Sequence, residues 1–387
     1  LVADDVIVRL AEQIACASAG IVVAGPSWGS VDVDPEAVRA FCERTGFVLY
    51  AECTSQLRDG VRTTRRGRAF ARCDGLAAIA RAGAAPGPDV VVQIGASPVD
   101  PTVLSWASRS GAQHIALTPS RWPDGQLTAT AIVQGDVGDT LRRLTVAIDD
   151  RNEPVDRGYG SALAALDGRV WEAVRAGLTP ESDATVPLDE ATALREVVAA
   201  LPDEGFLFVG NSRTVRDVDM FCDALPPHVA VAHQRGVAGI DGNLAHAAGL
   251  AALGGPVTAV VGDVAAAHDI GGLAAARHAT GSLVIVVIDN GGGRIFEQLP
   301  VATLPLGEAF ERLWLTPTGV DVCAAAAAYG IAAEQIGEGA ALRDAVRGAH
   351  ERGGTTLLWV RIAPEAVGAG HRSVAAALAR AFETGAQ

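Results

Sequence analysis

"VTAVVGDVAAAHDIGGLAAARHATGSLVIVVIDNGGGRIF", Val257 to Phe296, holds two runs of Val, Ile and Ala that end in Gly262-Asp263 and in Asp289-Asn290, with an Ala-rich stretch between them. An apolar run without alternation is the mark of a strand buried on both faces, the condition of a parallel sheet covered by helices on each side. A strand, its crossover helix and the next parallel strand take about 30 residues. Asp263 and Asn290 are therefore expected to emerge side by side at one sheet edge, followed by three glycines, Gly291, Gly292 and Gly293.

Working outward, the same alternation recurs along the chain. "GFLFVGNS", "HVAVAHQ" and "TTLLWVRI" read as further strands of the second half, with "NLAHAAGLAALG" as a helix. In the first half "GIVVAGPS", "FVLYAE", "DVVVQIGASP", "HIALTPS" and "ATAIVQGD" read as strands, and "DDVIVRLAEQIACAS" and "PEAVRAFCERTG" as helices. The polar stretch "DDRNEPVDRGYG", Asp149 to Gly160, suits a linker. The fold class predicted is α/β, two doubly wound parallel-sheet domains, one over 1–152 and the other over 153–387. A chain of 387 residues is long for one ordinary core and fits two.

At the paired strand ends the chemistry is that of hard oxygen. A carboxylate, an amide oxygen and a carbonyl freed by a glycine loop suit Mg²⁺, which completes its shell with water and phosphate oxygens. Glycine amides and helix N-termini beside it would hold a diphosphate. Taken alone, either motif is equally an ordinary β–α turn with Asp263 as a helix N-cap; the two together at one strand-helix-strand spacing favour the metal-diphosphate reading.

Composition removes several other classes. The formal charge of -14 argues against nucleic acid or an anionic membrane as partner. All 31 basic residues are arginine, which excludes a Schiff-base or P-loop lysine and leaves a planar fork suited to carboxylates and phosphates. The six cysteines form no CxxC pair and are read as free thiols. No apolar run is long enough for a membrane span and no signal peptide is evident, so a cytoplasmic protein is expected.

Four stretches carry a family resemblance: "GNSRTVRDVD" from Gly210, "QRGVAGIDGN" from Gln234, "GDVAAAHDIGGL" from Gly262 and "GGGRIFEQLP" from Gly291. Together they resemble the thiamine-diphosphate enzymes of the MenD family, the 2-succinyl-5-enolpyruvyl-6-hydroxy-3-cyclohexene-1-carboxylate synthases of menaquinone biosynthesis. The first half is similar to that family's middle domain, and the resemblance implies that the pyrimidine-binding domain, with its activating glutamate, is not part of this sequence.

By position in those motifs, Asp263, Asn290 and the carbonyl of Gly292 would ligate Mg²⁺, and Gly262, Val264 and Gly293 would lie against thiamine diphosphate. Ile240 would be the apolar wedge that bends the cofactor. Arg216 and Arg235 would take substrate carboxylates, Asn211 and Ser212 would line the same mouth, and Ile295 and Phe296 would give it an apolar wall. Implied substrates are 2-oxoglutarate and isochorismate, both dianions. Implied partners are a pyrimidine-binding domain or subunit and a homo- or hetero-oligomer. Ala265 and Ala266 stand where the family has a hydroxyl and a bulky apolar residue, and no basic residue stands near Pro101. These departures keep open a split or diverged carboligase acting on another 2-oxo acid. A noncatalytic assembly subunit is the alternative from another class. His268, one turn past Asp263, reads as a capping or packing residue.

Overall fold

The computed structural model describes residues 1–28, 33–59, 70–120, 122–149, 158–179 and 188–383. The chain divides into two compact units, Leu1–Ala176 with Ala376–Gln387, and Gly177–Ala375. Most of the stretch read as a linker, with the expected seam at 152/153, lies outside the described residues.

The first unit is built on a parallel sheet of β1 (Gly20–Ala24), β2 (Val48–Ala51), β3 (Val90–Ile94), β4 (Gln113–Thr118) and β5 (Ala131–Gln134), in the order β2-β1-β3-β4-β5. Every residue of β1, β2 and β3 is buried, as the unbroken Val/Ile runs require. Helix Pro35–Thr45 shows the local logic: Asp34 caps it through the Ala37 amide at 3.1 Å, Pro35 opens it, and Gly46 ends it at φ 74°.

The second unit is a parallel sheet of six strands: β6 (Glu204–Val209), β7 (His228–His233), β8 (Val257–Gly262), β9 (Leu283–Asp289), β10 (Ala332–Ile336) and β11 (Thr355–Arg361). Their order is β10-β11-β9-β8-β6-β7. Five of these were read from the sequence. The sixth, β10, lies at the sheet edge with four of its five residues exposed or partly so, so "AAEQI" carries no apolar run to announce it.

Side chains alternate along β8 and β9, and the two faces pack differently. Val257, Ala259 and Val261 with Leu283, Ile285 and Val287 meet the helices Asn243–Ala251, Leu273–Ala276 and Val322–Ala328 in one apolar cluster. Thr258 points to the opposite face, where its hydroxyl lies 2.8 Å from Nε2 of His350 on helix Gly339–Arg352. The other ring nitrogen meets the Ser282 hydroxyl at 2.9 Å. With two hydroxyls and no carboxylate as partners, burial pushes the His350 pKa down to about 4.

That shift fixes a pH dependence. The depressed pKa stabilises the folded chain fully above the ordinary value of 6.5, and the contribution is lost as pH falls toward about 4. Charging the ring in place costs up to roughly 3 kcal/mol. The melting temperature of the chain is expected to fall more steeply between pH 6.5 and 4 than that of His350→Gln, whose amide can serve both hydroxyls without titrating. Parallel melting curves would remove His350 from the acid response.

Candidate active site

Chain order along the second sheet reverses between β6 and β8: β7 follows on one side of β6, while β8 and β9 follow on the other. In open parallel sheets such a switch point leaves a crevice at the carboxyl ends of the strands, where ligands bind. Loops from three neighbouring strands end there. They are Asn211 to Thr214 after β6, Gly262 to Ala265 after β8, and Asn290 to Ile295 after β9, and they line one cleft together with Glu190, Leu194, Asp217 and Ile288.

Asp263 sits at the floor of this cleft, 6% exposed, directly after β8. The register pairs Gly262 with Ile288, so Asp263 and Asp289 follow on adjacent strands as two carboxylates at one edge. Burial, then the charge of Asp289, push the Asp263 pKa up to about 6 against the hydrogen bonds it accepts from the amides of Val264 and Gly292. Asp289 is itself held by the indole N–H of Trp359 at 3.0 Å and the amide of Gly291 at 3.1 Å, with Arg361 4.0 Å away. A buried carboxylate destabilised by a second one is an arrangement that a cation relieves.

The glycine loop is folded around that carboxylate. Gly292 has φ 117°, and a Cβ there would stand 2.2 Å from the Leu315 carbonyl, so no other residue fits. The loop's amides are all bonded inside the protein: Gly291 to Asp289, Gly292 to Asp263, Gly293 to the Leu315 carbonyl at 2.6 Å, and Arg294 to the Gly292 carbonyl at 2.8 Å. The expectation that glycine amides cradle a diphosphate is therefore not met by the loop as folded. Its role is to seat Asp263 and to bring Asn290 and the Gly292 carbonyl to the same edge. That carbonyl keeps one lone pair beside the Arg294 bond.

Asn290 reveals a partner that sequence reading missed. Its Nδ2 donates to Glu190 at 2.9 Å, which leaves Oδ1 as the amide's acceptor atom. Glu190, 2% exposed, opens helix Glu190–Ala199; it also accepts the Gly368 amide at 2.9 Å and pairs with Arg213 at 3.1 Å. Arg213 in turn lies 3.7 Å from Asp217 and 2.7 Å from His371, whose Nε2 reaches Asp217 at 2.7 Å. Burial alone would raise the Glu190 pKa, yet Arg213, the Gly368 amide and Asn290 together hold it below the usual carboxylate range. "LDEATALREVV" signals only an ordinary helix start, which it also is, through the capping box of Asp189 and Thr192.

Among the residues singled out by sequence, Asn211, Ser212, Gly262, Asp263, Val264, Asn290, Gly292, Gly293 and Ile295 line the cleft; Arg216, Arg235, Ile240 and Phe296 do not. Arg235 still reaches it, donating through a terminal guanidinium nitrogen to Asn211 Oδ1 at 2.6 Å, while Asn211 Nδ2 donates to the Gly239 carbonyl at 2.8 Å. Arg216 donates to the Ser212 carbonyl at 2.6 Å and so steadies a residue held at φ 72°, a conformation that side chains rarely adopt. Ile240 is half-buried in the turn after β7, its carbonyl accepting from Asn243 at 2.7 Å. Phe296 packs edge-on against Trp314 at 5.2 Å between centroids. His268 is bonded to Asp241 at 2.7 Å.

The donor set of this cleft is one carboxylate, one amide oxygen and one carbonyl, all oxygen, and it fits a small hard cation. Among the described residues no group of three or more His, Cys, Asp or Glu stands together that could hold a metal ion by side chains of those types alone.

Residues 217–360 match the family model described as thiamine pyrophosphate enzyme, C-terminal TPP binding domain. The chain is 34% identical over 370 residues to a 2-succinyl-5-enolpyruvyl-6-hydroxy-3-cyclohexene-1-carboxylate synthase of Sorangium cellulosum, covering 92% of this chain and 59% of that protein. It is 31% identical over 401 residues to the enzyme of the same name from Halorubrum lacusprofundi, covering 98% of this chain and 64% of that one. The chain thus spans about three fifths of the length of these curated relatives. A benzoylformate decarboxylase from Polynucleobacter necessarius shares the fold, with a TM-score of 0.63 and 17% identity over 93% of this chain and 64% of its own. No helix of the described residues is long and apolar enough to cross a membrane.

Proposed function

We propose, for a chain that belongs to the thiamine-diphosphate-dependent 2-succinyl-5-enolpyruvyl-6-hydroxy-3-cyclohexene-1-carboxylate synthase family, that it carries the diphosphate-anchoring half of such a synthase. The reaction is decarboxylation of 2-oxoglutarate and conjugate addition of the resulting succinyl carbanion to isochorismate, in the cytoplasm. The observation that carries this reading is the buried Asp263, pressed against Asp289 at the switch point with Asn290 beside it.

In this reading Asp263, Asn290 Oδ1 and the Gly292 carbonyl would hold Mg²⁺, and thiamine diphosphate, when bound, supplies the electron sink for the carbanion. The glycine amides being bonded elsewhere, the amide of Ala265, in the first turn of helix Asp263–His268 and ahead of its first intrahelical bond, is the chain's own donor to a diphosphate. Arg235, oriented by Asn211, binds a substrate carboxylate; Arg216 adds a second cation at the rim. Ile295 excludes water from the mouth, backed by Phe296 on Trp314. Activation of the cofactor falls to a pyrimidine-binding domain, contributed by a partner subunit in an oligomer or by a further stretch of chain.

The test is carbon dioxide release from 2-oxoglutarate with Mg²⁺ and thiamine diphosphate, the pyrimidine-binding domain supplied in trans. Release is expected, with the adduct accumulating once isochorismate is added. Release from other 2-oxo acids but not from 2-oxoglutarate would overturn the substrate assignment while leaving the cofactor site.

A further inference from the structure

Glu190 belongs to none of the three loops that build the cleft, yet it is bonded to one of the two side chains placed at the cation. Three donors converge on its carboxylate: Asn290 Nδ2 at 2.9 Å, the Arg213 guanidinium at 3.1 Å and the Gly368 amide at 2.9 Å. An ionised carboxylate only accepts hydrogen bonds, whereas a primary amide has one accepting and one donating end. Facing a pure acceptor, Asn290 must turn its nitrogen toward Glu190. The oxygen is then the atom left for a cation.

We infer that Glu190 is a positioning residue that sets the polarity of the Asn290 amide, and that Arg213, braced by Asp217 and His371, keeps Glu190 in place to do so. The inference deepens the metal site proposed above and rests on it. Without the carboxylate the amide is free to flip, and a flipped amide presents N–H to the cation. Glutamine at this position cannot substitute, because its single accepting oxygen faces three donors. Its own NH₂ could meet Asn290 only by drawing the Asn290 oxygen away from the cleft.

Groups that orient metal ligands typically change metal affinity by about 10- to 100-fold when removed. The two cations expose the mechanism, since Mg²⁺ demands near-ideal octahedral geometry while Ca²⁺ accepts variable number and placement of oxygens. Calorimetric titration of thiamine diphosphate would be run with Mg²⁺ and again with Ca²⁺, on the unmodified chain, on Glu190→Gln and on Glu190→Asp, each supplied with a pyrimidine-binding domain. The Mg²⁺-dependent affinity of Glu190→Gln is expected to fall about tenfold, at the low end of that range, and the Ca²⁺-dependent affinity less, while Glu190→Asp, shorter but still a pure acceptor, loses less than Glu190→Gln. The ratio of the two falls at least roughly threefold. Loss of folded protein lowers both affinities alike and leaves the ratio unmoved, so a merely structural role is separable from positioning. An unchanged ratio in variants of a chain that binds the cofactor overturns the inference and leaves the metal site standing. Absence of cation-dependent binding to the unmodified chain overturns both.

Discussion

Asp263→Ala lowers the Mg²⁺-dependent affinity for thiamine diphosphate at least tenfold, about 1.4 kcal/mol, and metal-free protein is not weakened in the same way. The two effects part because Asp263 is a carboxylate whose ionised form the fold itself disfavours. It is buried beside Asp289, and its pKa of about 6 lies above the ordinary 3.8, so ionising it costs the metal-free folded chain. Its contribution to stability is complete below pH 3.8 and is lost as pH rises through about 6. In the presence of a chelator, Asp263→Asn is therefore expected to melt higher than the unmodified chain above pH 6 and to converge with it near pH 4. His350 acts with the opposite sign in the same range, so only the difference between variant and parent isolates Asp263. Titration calorimetry reads the affinity, on the chain supplied with a pyrimidine-binding domain. Unchanged affinity sinks the assignment of the cation to this edge.

How much of this was legible follows from the range of each signal. Strands β8 and β9 announce themselves because burial on both faces forbids polar residues for a whole strand length, and the polar pair that ends each run marks the carboxyl edge. β10 is silent because an edge strand needs no such run. That Asp263 and Asn290 share one edge was legible because one crossover separates them, a spacing the fold class itself sets. Glu190 was not, since it meets Asn290 only through the packing of helix Glu190–Ala199 against helices Arg213–Phe221 and Gly339–Arg352, and an acidic residue after Asp189 in a first turn is already accounted for by helix capping. The glycine loop shows the converse. Its composition is equally that of a phosphate cradle, and only the hydrogen bonds of its four amides show that it wraps a carboxylate.

Arg235→Ala is expected to lower kcat/KM for 2-oxoglutarate by about 10- to 100-fold, the equivalent of the ~1.5–3 kcal/mol that a hydrogen bond to a charged group contributes. The size follows from how the guanidinium is held. One terminal nitrogen donates to the neutral amide oxygen of Asn211 at 2.6 Å, and that amide is fixed in turn by the Gly239 carbonyl, so the guanidinium is oriented before any carboxylate arrives. Orientation of this kind lets a planar fork bind bidentately with little further loss of freedom. Arg235→Lys, which keeps the charge as a point and loses the fork, should recover only part of the deficit. The cofactor, whose proposed anchor is Asp263 and Asn290 across the switch point, should bind both variants as it binds the parent, so calorimetry with thiamine diphosphate and Mg²⁺ separates substrate recognition from collapse of the site. A variant that loses melting temperature alone, with kcat/KM intact, would make Arg235 a structural residue of the turn after β7 and would move the carboxylate site to Arg216, whose guanidinium now supports the Ser212 carbonyl at the rim of the same cleft.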